Sequence, residues 1–213
     1  MKHLYGCLII TLLSGFYSAV ADVPAARQWN FRVFLDEKEI GTHDFNLQTT
    51  TDAVRVTTTA RFDVKVLFIN VYKYAHDDQE LWRNGCLVNM QSITNNDGKQ
   101  LRVFTKETTA GLNISTGAKQ YYLSDCVMSF AYWSPLMLQQ KQLLNAQTGE
   151  YDAVDIKLLN TTTVRAAGKD WLAKRYSLTG KKLKIDLWYS LEGDGLALES
   201  TTENGRCLRY VLN

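Results

Sequence analysis

The chain has 213 residues, of which 24 are Lys or Arg and 22 are Asp or Glu, for a formal net charge of +2. Charges of both signs are interspersed with no basic stripe, which argues against a nucleic-acid partner, and there is no acidic block or low-complexity tail. With 46% hydrophobic residues the chain can bury a real core.

Residues 1–21 read as a secretory signal peptide. Lys2 gives a positive start, Leu4 to Phe16 is apolar, and Ser18-Ala19-Val20-Ala21 offers the small residues a signal peptidase inspects, ahead of Asp22. The apolar run is short for a membrane span and is weakened by Gly6, Thr11, Ser14 and Gly15. Cys7 lies too near its start for lipidation. The expectation is a bacterial protein, periplasmic or secreted, with residues 22–213 forming a single β-rich domain and no transmembrane span after cleavage. Cys86, Cys126 and Cys207 then remain. Two of the three can pair in an oxidising compartment. Cys86–Cys126 is favoured; a pairing with Cys207 and three free thiols stay open. No CxxC exists and the spacing suits no zinc site, so neither a metal nor a cofactor is expected.

In chain order, Trp29, Phe31, Val33 and Leu35 alternate with Asn30 and Arg32 as one strand, and Asp36-Glu37-Lys38-Glu39 turns the chain. The next strand puts Gly41, His43, Phe45 and Leu47 on one face; Val54 to Phe62 gives a third. From Val64 to Tyr74 the alternation yields to an apolar run, read as a central strand covered on both faces, with a bulge near Asp63. Asn84-Gly85 and Asp97-Gly98 are hairpin dipeptides. Strands are expected at 86–94, 101–108, 112–116 and 120–123. Ser134 and Pro135 open a short helix whose apolar side takes Leu136, Leu138 or Gln139, Leu143 and Leu144, with Asn145 and Gly149 able to end it. Further strands follow at 151–159, 162–166, 171–178, 182–189, 196–201 and 207–212. Only Pro24 and Pro135 occur, and neither interrupts a strand. The fold class is therefore mainly β: a curved antiparallel sheet, half-barrel or open barrel, with one short helix on its concave side.

Chemistry-bearing residues are few. His43 shares the face of Phe45 and Leu47, where it is a core histidine, a base or a specificity group. His76 follows Tyr72 and Tyr74 at strand parity and precedes Asp77-Asp78-Gln79-Glu80, an acidic stretch read as a solvated loop because its spacing matches no metal motif. Tyr132 and Trp133 lie before the helix, able either to anchor it or to grip an apolar ligand. There is no Gly-x-Ser-x-Gly and no phosphate loop. Candidate ligand-binding residues are His43, Tyr72, Tyr74, His76, Tyr132 and Trp133, and no catalytic residue is assigned.

Several stretches together resemble an uncharacterised family of bacterial secreted proteins, a domain-of-unknown-function family: Trp29-x-Phe31-x-Val33-x-Leu35-Asp36, Ile40-Gly41-x-His43-x-Phe45, Phe62 to Phe68, Tyr72-x-Tyr74-x-His76, Glu80-x-Trp82-x-x-Gly85-Cys86-Leu87, Cys126 to Trp133, Leu144 to Gly149 and Ile185 to Tyr189. The resemblance brings no activity with it. More distantly, the plan is similar to the half-barrel of periplasmic lipoprotein carriers, in which a curved sheet wraps a helix and shelters an acyl chain. That likeness implies a periplasmic, non-catalytic binder or carrier of a lipid-like or other apolar molecule. The alternatives are an envelope scaffolding protein with a protein partner and no ligand, which calls for a filled interior, and an enzyme using His43 or His76 with a carboxylate, which calls for both histidines in one cleft. The sequence leans against the enzyme.

Overall fold

The structure is a computed structural model and describes residues 25–66, 69–181, 183–202 and 205–213. The expected signal peptide lies outside them, as do Pro24, Leu67 and Phe68 of the apolar run, Lys182, and Asn204 of the last turn.

Alternation of apolar and polar residues yields fourteen strands among the described residues. They are β1 (Ala25–Leu35), β2 (Lys38–Thr49), β3 (Val54–Val66), β4 (Ile69–Arg83), β5 (Cys86–Asn96), β6 (Lys99–Thr108), β7 (Gly111–Thr116), β8 (Gln120–Leu123), β9 (Gln142–Leu144), β10 (Tyr151–Ala166), β11 (Lys169–Gly180), β12 (Lys184–Ser190), β13 (Gly195–Thr201) and β14 (Cys207–Leu212). They form one open antiparallel sheet in the order β8-β7-β6-β5-β4-β3-β2-β1-β14-β13-β12-β11-β10-β9. Two meanders are thus joined where the last strand pairs with the first, Val33 opposite Tyr210 and Phe31 opposite Leu212. One buried cluster takes Val103 from β6, Phe45 from β2, Leu187 from β12 and Leu178 from β11. Side chains from strands so far apart in the sheet meet only because it curls around a common interior.

Asn84-Gly85 and Asp97-Gly98 each take positive φ at both residues, the hairpin geometry that matches strand twist. Ala167-Gly168 does the same without an Asn or Asp. The apolar run from Val64 to Tyr74 is not one central strand. It is the far end of the β3–β4 hairpin, with β3 ending at Val66 and β4 beginning at Ile69. Ile69 is 68% exposed and Val71 51%. Segments 151–159 and 162–166 merge into the single strand β10, with the register slipping between Leu158 and Asn160.

The connection from β8 to β10 crosses the inside of the curve. Its short helix is 3-10, Pro135–Gln139, with Met137 buried in the main core. It ends before Leu143 and Leu144, which form β9 against Tyr151–Ala153 of β10. Ser134 precedes the helix in extended conformation but makes no side-chain cap. A disulfide joins Cys86 of β5 to Cys126, and the Leu87 amide donates to the Val127 carbonyl (2.9 Å). On the opposite side the Tyr189 hydroxyl donates to the Tyr132 carbonyl (2.8 Å). The segment therefore spans the interior from β5 to β12. Cys207 is free and exposed.

Candidate functional site

The registers of β2 to β5 set the site. His43 lies opposite Ala60, Ala60 opposite His76, and His76 opposite Thr94. The histidines are thus two strands apart on one row, about 10 Å between backbones at ordinary strand spacing. Ala60, buried, stands between them. The next row is Phe45, Thr58, Asp78 and Ser92, and the one after is Leu47, Val56, Glu80 and Met90. Side-chain alternation along β4 accordingly puts His76, Asp78, Glu80 and Trp82 on the inner face, all buried.

These rows floor a cavity of about 340 Å³. His43, Thr58, His76, Asp78 and Glu80 supply its polar side, with Ser129 from the crossing segment. Tyr74, Phe130, Tyr132, Trp133 and Tyr210 supply aromatic walls. Next to it lies an apolar groove of about 540 Å³ lined by Ile40, Phe62, Val64 and Tyr72 among others. The two recesses share Tyr74, Gln147, Leu208 and Tyr210.

Burial governs the electrostatics. Desolvation, helped by the nearby His76, holds His43 down to about 3. Desolvation holds His76 down to about 4, with Asp77 opposing and Arg61 assisting. Both rings are neutral at pH 7. His43 stacks on Phe45 with centroids 4.4 Å apart, and its Nε2 is buried without a partner. His76 Nδ1 pairs with the Thr94 hydroxyl at 2.8 Å. Burial, with Glu80 beside it, pushes the Asp78 carboxyl well above the usual carboxylate range. Burial also raises Glu80, against the donors that hold it. Those donors are the Ser129 hydroxyl on Oε1 (3.0 Å), the Trp82 indole N–H on Oε2 (2.9 Å) and the protonated Asp78 carboxyl beside it. Asp78 Oδ1 has no partner.

The acidic stretch after His76 is therefore not a loop. Asp77 points outward and pairs with Arg61 at 2.7 Å, while Asp78 and Glu80 point inward. Strand parity from Tyr72 through Trp82 carried that signal. Of the sequence candidates, His43, Tyr74, His76, Tyr132 and Trp133 line the cavity, and Tyr72 lines the groove instead, where its hydroxyl donates to Asn96 Oδ1 at 2.8 Å. Thr58, Asp78, Glu80, Ser129 and Tyr210 were not among them. Among the described residues no group of three or more His, Cys, Asp or Glu side chains is placed to hold a metal ion, and no helix is long and apolar enough to cross a membrane.

The comparisons with known proteins agree with this architecture. Residues 31–213 match the family described as a domain of unknown function (DUF6134), and the chain belongs to that family. Among solved structures it is similar to a crystal structure of a beta-barrel-like protein of domain of unknown function DUF1849 from Brucella abortus. The TM-score is 0.59 at 11% sequence identity, covering 92% of this chain and 98% of that one. At that identity the likeness is one of fold. No curated protein matches.

Proposed function

We propose that this protein is an exported binder or carrier of an amphipathic, lipid-like molecule. What carries the reading is the pair of adjoining recesses. An apolar tail in the groove of about 540 Å³ leaves water, at roughly 0.8 kcal/mol per buried methylene. A polar head then reaches the floor of the cavity of about 340 Å³, past the aromatic walls they share. Export to the periplasm draws support from the Cys86–Cys126 disulfide, a bond that persists in oxidising compartments, and from residues 1–21, taken as a cleaved leader ahead of one domain at 22–213. A purely scaffolding role calls for a filled interior, which two recesses of this size do not provide.

The test is native mass spectrometry, with organic extraction, on protein exported to a bacterial periplasm. A stoichiometric apolar adduct is expected, and it should be lost from Trp133→Ala or Tyr74→Ala while each variant still melts cooperatively. A clean unliganded mass for the parent, or variants that lose only stability, would sink the binding role. In a series of alkyl ligands, affinity should rise about fourfold per methylene until the groove is filled.

One observation favours a second reading, acid–base catalysis: His43, His76 and a carboxyl held protonated meet in one cavity. Incubating the extracted molecule with the protein separates the two. Recovery unchanged supports carriage; conversion to a product, abolished by His43→Gln without a fall in melting temperature, supports catalysis.

A further inference from the structure

The polar floor is one-sided in its chemistry. Asp78 is only 4% exposed, and its Oδ1 has no hydrogen-bond partner. A buried acceptor left unpaired in this way is costly. Glu80 is already occupied by Ser129 and Trp82, so within the carboxyl pair Asp78 is the one with room for a donor. His43, on a different strand, carries a second unpartnered buried atom, Nε2. Both side chains line the same cavity. Among the described residues that line it there is no Lys or Arg, and the histidines stay neutral because burial holds them so. Nothing described in the cavity therefore balances an anionic head, and the one Lys or Arg that lines the adjoining groove, Arg206, is paired with Asp36. The walls suit a cation as well. Tyr74, Tyr132 and Trp133 present aromatic rings to the cavity, and such rings attract an ammonium through their quadrupoles.

The geometry points to a ligand whose polar end is an ammonium group, a primary or secondary amine on an apolar body, with Asp78 as its principal acceptor and His43 as a second. This rests on the amphiphile-binding reading above and names the head that the site selects. The Asp78 carboxyl, protonated without ligand, releases its proton to solvent as the ammonium docks, so the bound pair is an ammonium on a carboxylate, which Asn cannot form. The aromatic walls alone attract any cation; the N–H donors distinguish an amine from a quaternary ammonium, which has none to give to Asp78.

The experiment compares dodecylamine, dodecanol, dodecanoate and dodecyltrimethylammonium, each below its micellar concentration, by calorimetric titration into the full exported chain at pH 7. The amine should bind at least about tenfold more tightly than the alcohol, the margin expected for a charge-assisted hydrogen bond in a dry site. The quaternary ammonium should fall between them and the carboxylate should be weakest. In Asp78→Asn the ratio of amine to alcohol affinity should fall to within about threefold. The ranking of heads on the unaltered protein decides the matter even if that variant does not fold. Equal binding of all heads, or tightest binding of dodecanoate, overturns the amine assignment and leaves the amphiphile reading standing. Binding of none overturns both.

Discussion

The two kinds of buried titratable group in the cavity act on stability in opposite directions. The unfolded chain protonates His43 and His76 below about pH 6.5, whereas the native chain leaves His43 neutral down to about 3 and His76 down to about 4. Stability therefore falls as pH drops through that interval. Asp78 and Glu80 behave in reverse. The native chain keeps protons that the unfolded chain releases above about pH 4, so stability falls as pH rises. The facing phenols of Tyr74, Tyr132 and Tyr210 are all pushed above their ordinary 10 by burial and stay out of the balance. Between about pH 4 and 6.5 the two trends offset each other, and above that the carboxyl trend stands alone. Melting temperature should thus decline from pH 6.5 to 9, and Asp78→Asn should flatten the decline. An undiminished decline in that variant would place the titrating group elsewhere.

At the scale of elements, the crossing segment depends on its attachments. It has little regular structure of its own, only a five-residue 3-10 helix and three-residue β9, and it is tied to β5 through Cys86–Cys126 and the Leu87–Val127 hydrogen bond. Replacing both cysteines by serine should cost about 2–4 kcal/mol, the usual range for a bridge closing a loop of this order. It should also expose 124–134 to protease before the rest of the chain, as denaturant midpoints and limited proteolysis would reveal. Cleavage that begins instead in β10–β11 would mean the segment is held mainly by packing. The same contrast explains what was legible in the sequence. Strands closed by Asn-Gly or Asp-Gly turns stood out because turn chemistry and alternation are local. β8 and β14 could be delimited to the residue, and the inward face of β2 could be read by parity. The β3–β4 tip was misread because Val64 to Tyr74 holds no Gly or Pro to divide it, and its one Asn, Asn70, lies within β4. Leu143 and Leu144 were assigned to a helix because their strand is dictated by pairing with residues of β10. Asp78 and Glu80 shared parity with His76 and Trp82, but their charge argued for solvent; only a cavity that keeps Asp78 protonated reconciles the two.

At the scale of the molecule, the decisive contact is the antiparallel pairing of β1 with β14. Without it the chain would be two open meanders, each with an uncovered edge. With it, Trp29 and Phe31 of β1 join one core with Met90 of β5 and Leu187 of β12. Tyr210 of β14 stands against Phe31 and Phe62 at 6.5 and 6.2 Å and lines both recesses. The proposed ligand site thus lies across the seam, and neither meander carries it alone. Because the core crosses the seam, the two halves should unfold together, with amides of Val33 and Tyr210 exchanging at the same free energy as those of Met90 and Leu178. Native-state hydrogen exchange under rising denaturant tests this directly. If β10 to β13 open at distinctly lower free energy than β2 to β6, the seam is a docking surface between two separately folding units. The cavity would then open whenever the halves part, giving a carrier a route for ligand release. Matched values would require the ligand to enter and leave past the aromatic walls of an intact sheet.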